Sequence, residues 1–129
     1  MSRSGTFRRI AAIALAALAA GALQALAANP APSKGNAAAA KPIFTQKCIA
    51  CHKADGTGGV KLTGNPTPNW KDPKTWADPK RKNVDAYLRD CITNGKIPSG
   101  MVAWGKTGQL KPNQIEDLIA YIKTFAPKK

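Results

Sequence analysis

Cys48-Ile49-Ala50-Cys51-His52 is a C-x-x-C-H run, the spacing at which haem is attached covalently to a chain. Two thiols three positions apart can add across the two vinyl groups of one porphyrin. The imidazole that follows then lies beneath the ring, within reach of the iron. A C-x-x-C pair without haem is a redox dithiol or half of a zinc site, so the rest of the chain has to decide.

The first 27 residues read as a secretory signal. Arg3, Arg8 and Arg9 form a basic start, Ile10 to Leu26 is apolar and rich in alanine, and Ala25-Leu26-Ala27 supplies an A-x-A site, which puts cleavage before Ala28. Retention as an anchor is the weaker reading, because alanine is only mildly hydrophobic and Gln24 interrupts the stretch. Arg8-Arg9 is a poor twin-arginine match, as suits a chain exported unfolded and given haem afterwards.

Cleavage leaves 102 of 129 residues, enough for one domain. It also takes the formal net charge from +13 to +10, over 17 basic and 7 acidic residues. So strong a balance implies an acidic partner, an anionic membrane surface or nucleic acid. Export largely removes nucleic acid, and no basic helix with aromatic interleaving is visible.

Asn29 to Lys41 reads as a loose lead of Pro, Ser, Gly and Ala, so the domain is expected over 41–126 after a flexible 28–40. A short helix should follow, with Pro42 in its first turn. Asp55 to Pro79 is rich in Gly and Pro. A structureless stretch of that length in a small domain is usually functional, and wrapping a flat apolar cofactor explains it. Val84, Tyr87, Leu88, Cys91 and Ile92 fall on one helical face. Asn83 suits the N-cap and Gly95 the C′ position of that helix. Ile115, Leu118, Ile119, Ile122 and Phe125 repeat the pattern after Pro112. No strand alternation stands out, so the domain is expected to be all-α.

After cleavage one His and one Met remain. His52 is then the only imidazole, and a bis-His iron is excluded within this chain. Met101 is the only thioether, and Gly100 before it allows close backbone approach. A lone Met usually fills a core gap. Beside a haem motif, however, it is a natural soft ligand, and a His/Met pair raises the reduction potential.

Taken together, these features resemble a class I mono-haem c-type cytochrome of the periplasm. The residues that carry the resemblance are Cys48, Cys51, His52, the turn Thr93-Asn94-Gly95-Lys96, Met101-Val102-Ala103-Trp104-Gly105 and Leu118-Ile119-Ala120-Tyr121-Ile122. It covers about residues 41–125. The resemblance implies a small cytochrome c-like fold, three main helices with long loops around one covalent haem c. Cys48 and Cys51 would carry the thioethers, His52 would be the proximal iron ligand, Met101 the distal one, and Trp104 would pack at the haem edge. Phe44 matches the N-terminal aromatic that meets the C-terminal helix, at Leu118 and Tyr121. Ala40 stands where a glycine is usual, which implies a slightly wider helix crossing. The proline whose carbonyl accepts from the haem histidine is either Pro66 or Pro68. Val102 replaces the proline that commonly follows the ligand Met, which implies a looser Met101 loop.

Other readings are weaker. Cys48, Cys51, His52 and Cys91 make a Cys₃His zinc set, but adjacent Cys51 and His52 clasp one tetrahedral ion awkwardly, and Met101 to Trp104 would then have no role. A thioredoxin-type dithiol lacks its βαβ context. Cys91 lies on an apolar helix face and reads as a small inert hydrophobe rather than a redox thiol. A peroxidase would want a distal His or Arg, and none lies near Met101.

The expected function is therefore that of a monomeric periplasmic electron carrier, not an enzyme. It would move one electron between a periplasmic donor and a terminal oxidase or reductase by transient docking on acidic redox proteins, without stable membrane insertion. A ring of Lys53, Lys61, Lys71, Lys74, Lys80, Arg81, Lys82, Lys96, Lys106 and Lys111 would steer those partners. The alternatives are a dedicated haem subunit of a dehydrogenase or sulfur-oxidising complex, and a ligand-binding haem protein.

Overall fold

A computed structural model describes residues 34–128. The expected signal and most of the expected lead lie outside the described residues. Five α-helices run in the order α1 (Ala37–Lys47), α2 (Ile49–His52), α3 (Pro73–Trp76), α4 (Val84–Asn94) and α5 (Pro112–Lys123). Single 3₁₀ turns at Pro79–Arg81 and Ile97–Ser99 complete the set, and no β-strand occurs among the described residues. The fold is all-α.

Helix α1 starts at Ala37, ahead of the expected domain start at Lys41, and Pro42 lies inside it rather than in its first turn. The cause is tertiary. The Asn36 side chain accepts from the Ala38 N–H at 3.0 Å, and the Asn36 N–H donates to Asp117 of α5 at 2.7 Å. A local cap and a tether from a residue 81 positions away together fix the first turn. Gly35 passes so close that an added Cβ would sit 2.0 Å from the Glu116 carbonyl oxygen.

Helices α1 and α4 both pack on α5. Ala40 is fully buried and Phe44 is 1% exposed. The Phe44 ring centroid lies 5.1 Å from Tyr121, and Leu118 belongs to the same core cluster. The α4 face behaves as its period requires, with Leu88, Cys91 and Ile92 buried. Asn83 caps it through the Ala86 N–H at 3.0 Å, and the Gly95 N–H closes it on the Cys91 carbonyl. Arg89 of α4 reaches Glu116 of α5 with two hydrogen bonds, 2.5 and 2.8 Å. At α5 the Gln114 side chain accepts from the Lys111 N–H at 2.9 Å. No helix among the described residues is long and apolar enough to cross a membrane.

Candidate functional site

The motif forms α2. The His52 N–H donates to the Cys48 carbonyl at 2.9 Å and the Cys51 N–H to the same oxygen at 3.2 Å, so the two thiols and the imidazole share one tight turn. The chain leaves it abruptly. Lys53 adopts φ 59 and ψ 156, a region open mainly to glycine that costs a lysine roughly 1–3 kcal/mol. The loop beyond then returns beneath the motif. Thr67 donates its hydroxyl to the Cys51 carbonyl at 2.8 Å, the Gly58 N–H donates to the His52 carbonyl at 3.2 Å, and the Gly59 N–H reaches the Thr67 carbonyl at 3.0 Å. Gly58 has φ +57, and a Cβ there would fall 2.2 Å from the Pro68 carbonyl oxygen. Gly58→Ala is therefore expected to destabilise the protein by about 1–3 kcal/mol, seen as a lower midpoint in denaturant. An unchanged midpoint would show that this crossing carries no constraint.

Met101 is fixed from the other side. Its N–H donates to the Lys96 carbonyl at 3.2 Å, and the Lys96 N–H donates back to the Met101 carbonyl at 3.1 Å. This pair of bonds closes a short loop through the 3₁₀ turn, and Gly100 completes the loop at φ +83. The looseness expected from Val102 is thus opposed by a bridge at the neighbouring residue.

All five residues expected to serve the haem line one cavity of about 660 Å³: Cys48, Cys51, His52, Met101 and Trp104. That volume is within the range of cofactor pockets. Cys48 and Cys51 are unbridged thiols. Burial pushes the Cys48 thiol up to about 11, with Lys47 opposing and Cys51 reinforcing the shift. Burial also takes the His52 imidazole down to about 4, which leaves it neutral with a nitrogen lone pair to offer. Lys47 stands over the Trp104 ring, 4.9 Å from its centroid.

Three features were not legible beforehand. Arg81, grouped with the surface cations by sequence, is tucked into the cavity wall with its side chain 17% exposed. Its Nη1 donates to the Thr75 carbonyl at 2.8 Å, it lies over Tyr87, and its buried Nε, 3.6 Å from the Asp78 carboxylate, makes no hydrogen bond among the described residues. A cofactor that carries carboxylates, as haem does, fits that wall. Next, the buried Nδ1 of His52 has no hydrogen-bond partner among the described residues, and Pro66 and Pro68, the two candidates for that bond, both line the cavity. Finally, Trp70 stacks on the His52 ring, with centroids 4.5 Å apart and planes 9° from parallel. Cys91, as expected, is buried. Among the described residues no three His, Cys, Asp or Glu side chains cluster as metal ligands.

Comparison with known proteins agrees with this geometry. A family model described as cytochrome c oxidase, cbb3-type, subunit III matches residues 35–122. The chain belongs to this cytochrome c family. It is a class I mono-haem c-type cytochrome, its cofactor is covalently bound haem c, and its chemistry is haem-based electron transfer. The cbb3-type cytochrome c oxidase subunit FixP of Bradyrhizobium sp. (strain ORS 278) is 32% identical over 106 residues. That match takes in 80% of this chain but 32% of FixP, so the chain spans about a third of that relative. Cytochrome c6 of Limnospira maxima is 31% identical, covering 73% of this chain and 98% of that protein. Cytochrome c6 of Rippkaea orientalis is 35% identical over 73% of this chain and 75% of its own length. No solved structure matches the cytochrome.

Proposed function

We propose that this cytochrome is a periplasmic electron carrier rather than an enzyme, with Cys48 and Cys51 as the thioether anchors, His52 as proximal ligand and Met101 as distal ligand. The observation that carries the reading is that one cavity gathers both thiols, the imidazole and the thioether. Haem supplies reversible one-electron exchange at its iron. Each side chain then has a task. Cys48 and Cys51 would hold the cofactor covalently, His52 and Met101 would both bind the iron and so close it to exogenous ligands, and Arg81 would balance carboxylate charge in the wall. Trp104 and the core beneath exclude water, which helps set the potential.

The charge pattern supports acidic partners. All seven carboxylates are engaged within the protein. Asp55, Asp85, Asp90 and Glu116 pair with Lys71, Lys123, Lys96 and Arg89. Asp72 and Asp78 cap short helices, and Asp117 holds Asn36. Lys47 and Lys74 line the cavity and form no ion pair among the described residues. The docking field therefore rests on such unpaired lysines rather than on Lys71, Arg81 or Lys96. Exposed Leu62, Ile97 and Val102 lie in the cavity rim or beside it, Leu62 against Gly100, and supply a small apolar contact for weak association.

Electron transfer to an acidic partner should slow about tenfold or more as ionic strength rises from about 0.01 to about 0.15 M, since the screening length shortens from about 30 to about 8 Å. Stopped-flow mixing measures this directly. A salt-independent rate would remove the steering role of the lysines. The likeness to FixP favours a second reading, a haem subunit bound permanently to a larger complex. Co-purification of a stoichiometric partner through high salt would replace the carrier with that reading.

A further inference from the structure

We infer that Thr63 is a positioning residue for Met101, latching the turn that leads to this thioether onto the loop that follows the Cys48–His52 motif. Both loops line the cavity, one through Leu62 and Asn65, the other through Pro98 and Gly100. Each is closed at its base. In the first, the Thr67 N–H donates to the Val60 carbonyl at 2.9 Å and the Val60 N–H to the Thr67 hydroxyl oxygen at 3.1 Å. Thr67 in turn ties that base to the Cys51 carbonyl. In the second, Lys96 and Met101 exchange two backbone hydrogen bonds. Between the two loops the Thr63 hydroxyl donates to the Pro98 carbonyl at 2.9 Å, across 35 positions of sequence.

The turn has nothing else to hold it from outside. Its own backbone bonds run from the Ser99 N–H to Lys96 and from the Gly100 N–H to Ile97, which leaves the Pro98 carbonyl without a backbone donor. Thr63 supplies the partner that a main-chain acceptor calls for. Among the described residues this is the one hydrogen bond that joins residues 97–101 to anything beyond the Lys96–Met101 loop. Two glycines permit so close an approach. A Cβ on Gly64, at φ +58, would lie 2.9 Å from the same Pro98 oxygen, and one on Gly100, at φ +83, would lie 3.1 Å from Leu62 Cδ1. Leu62 therefore packs over the turn beside the hydroxyl contact, and the clasp has a polar and an apolar part. Met101 can swing away from the cavity with its turn only if Thr63 lets go of Pro98.

A thioether at the iron has to leave before an added anion can bind there, so the rate of anion binding reports how readily the Met101 turn opens. The test uses oxidised holoprotein and follows cyanide binding through loss of the weak red iron–sulfur band. Wild type is compared with Thr63→Val, which keeps the shape without the donor, and Thr63→Ser, which keeps the hydroxyl. Far-UV circular dichroism checks the helices, which an exposed loop residue should leave unchanged. Thr63→Val should bind cyanide about three- to tenfold faster, the factor that the net contribution of one hydrogen bond sets, with Thr63→Ser within about twofold of wild type. A wild-type rate in Thr63→Val overturns the inference, as does equal acceleration in the valine and serine variants. If the valine variant takes up no haem, Thr63→Ala removes the donor without a branched side chain, and a wild-type rate there is equally fatal. The inference rests on Met101 as distal ligand. A wild type without the red band defeats that reading first, whereas a wild type with the band and a rate indifferent to Thr63 defeats the inference alone.

Discussion

Met101→Ala is expected to abolish the weak red absorption band of iron–methionine sulfur in the oxidised protein and to lower the reduction potential by on the order of 0.1 V. The potential shift is a modest part of the ~0.8 V over which axial ligands set haem potentials. Loss of the thioether removes a soft ligand that favours the reduced iron. The effect should be local, because the Met101 backbone is held to Lys96 by two hydrogen bonds that alanine retains. Helix content should hold as well, since Met101 is only partly buried and lies outside every helix. The variant should also bind carbon monoxide or cyanide readily, which the wild type, with His52 and Met101 both at the iron, is expected to resist. Visible spectra of both proteins, oxidised and reduced, settle the matter. If the wild type already lacks the band and shifts on adding carbon monoxide, Met101 is a cavity-wall residue, and the protein is a ligand-binding haem protein rather than a carrier.

What the sequence made legible follows a physical division. Helices α4 and α5 carry a clean 3.6-residue apolar period and their own end signals, so Asn83, Gly95 and Pro112 mark boundaries without tertiary help. The burial of Cys91 comes from that same period. Helix α1 has an N-cap in Asn36 but no comparable apolar period. Its first turn is all alanine, and its start is set by the Asp117 carboxylate and by the close passage of Gly35 over Glu116. The site divides in the same way. Cys48, Cys51 and His52 are adjacent in the chain, and Met101 was identified by being the only thioether left. Trp70 sits in a loop without periodicity, and it reaches His52 only because Gly58 lets the chain cross beneath the motif. Arg81 looked like any surface cation, since its burial depends on Thr75, Asp78 and Tyr87 being folded around it. Sequence separates what local pattern dictates from what only a return of the chain can impose.

Phe44→Ala is expected to be the most damaging single change in the core, costing about 3–5 kcal/mol. That is a large share of the roughly 5–15 kcal/mol that holds a small domain together. Three arguments meet on this residue. First, Phe44 is 1% exposed and packs against Trp70, Tyr121 and Phe125 at once, so truncation leaves a cavity with aromatic walls that cannot collapse inward cheaply. Second, Phe44 and Ala40 are the two buried residues of α1, and alanine at both positions would leave its packing on α5 to partly buried side chains and the Asn36–Asp117 tether. Third, Phe44 leans on the indole that stacks on His52, so the damage should reach the iron. Thermal unfolding of the holoprotein should show a fall of about 12–40 °C, given about 4–8 °C per kcal/mol for a domain of this size. Phe44→Leu keeps most of the volume and should lose under about 1.5 kcal/mol. A loss below about 1 kcal/mol in the alanine variant would mean that haem itself, rather than the contact of α1 with α5, holds the N-terminal helix in place.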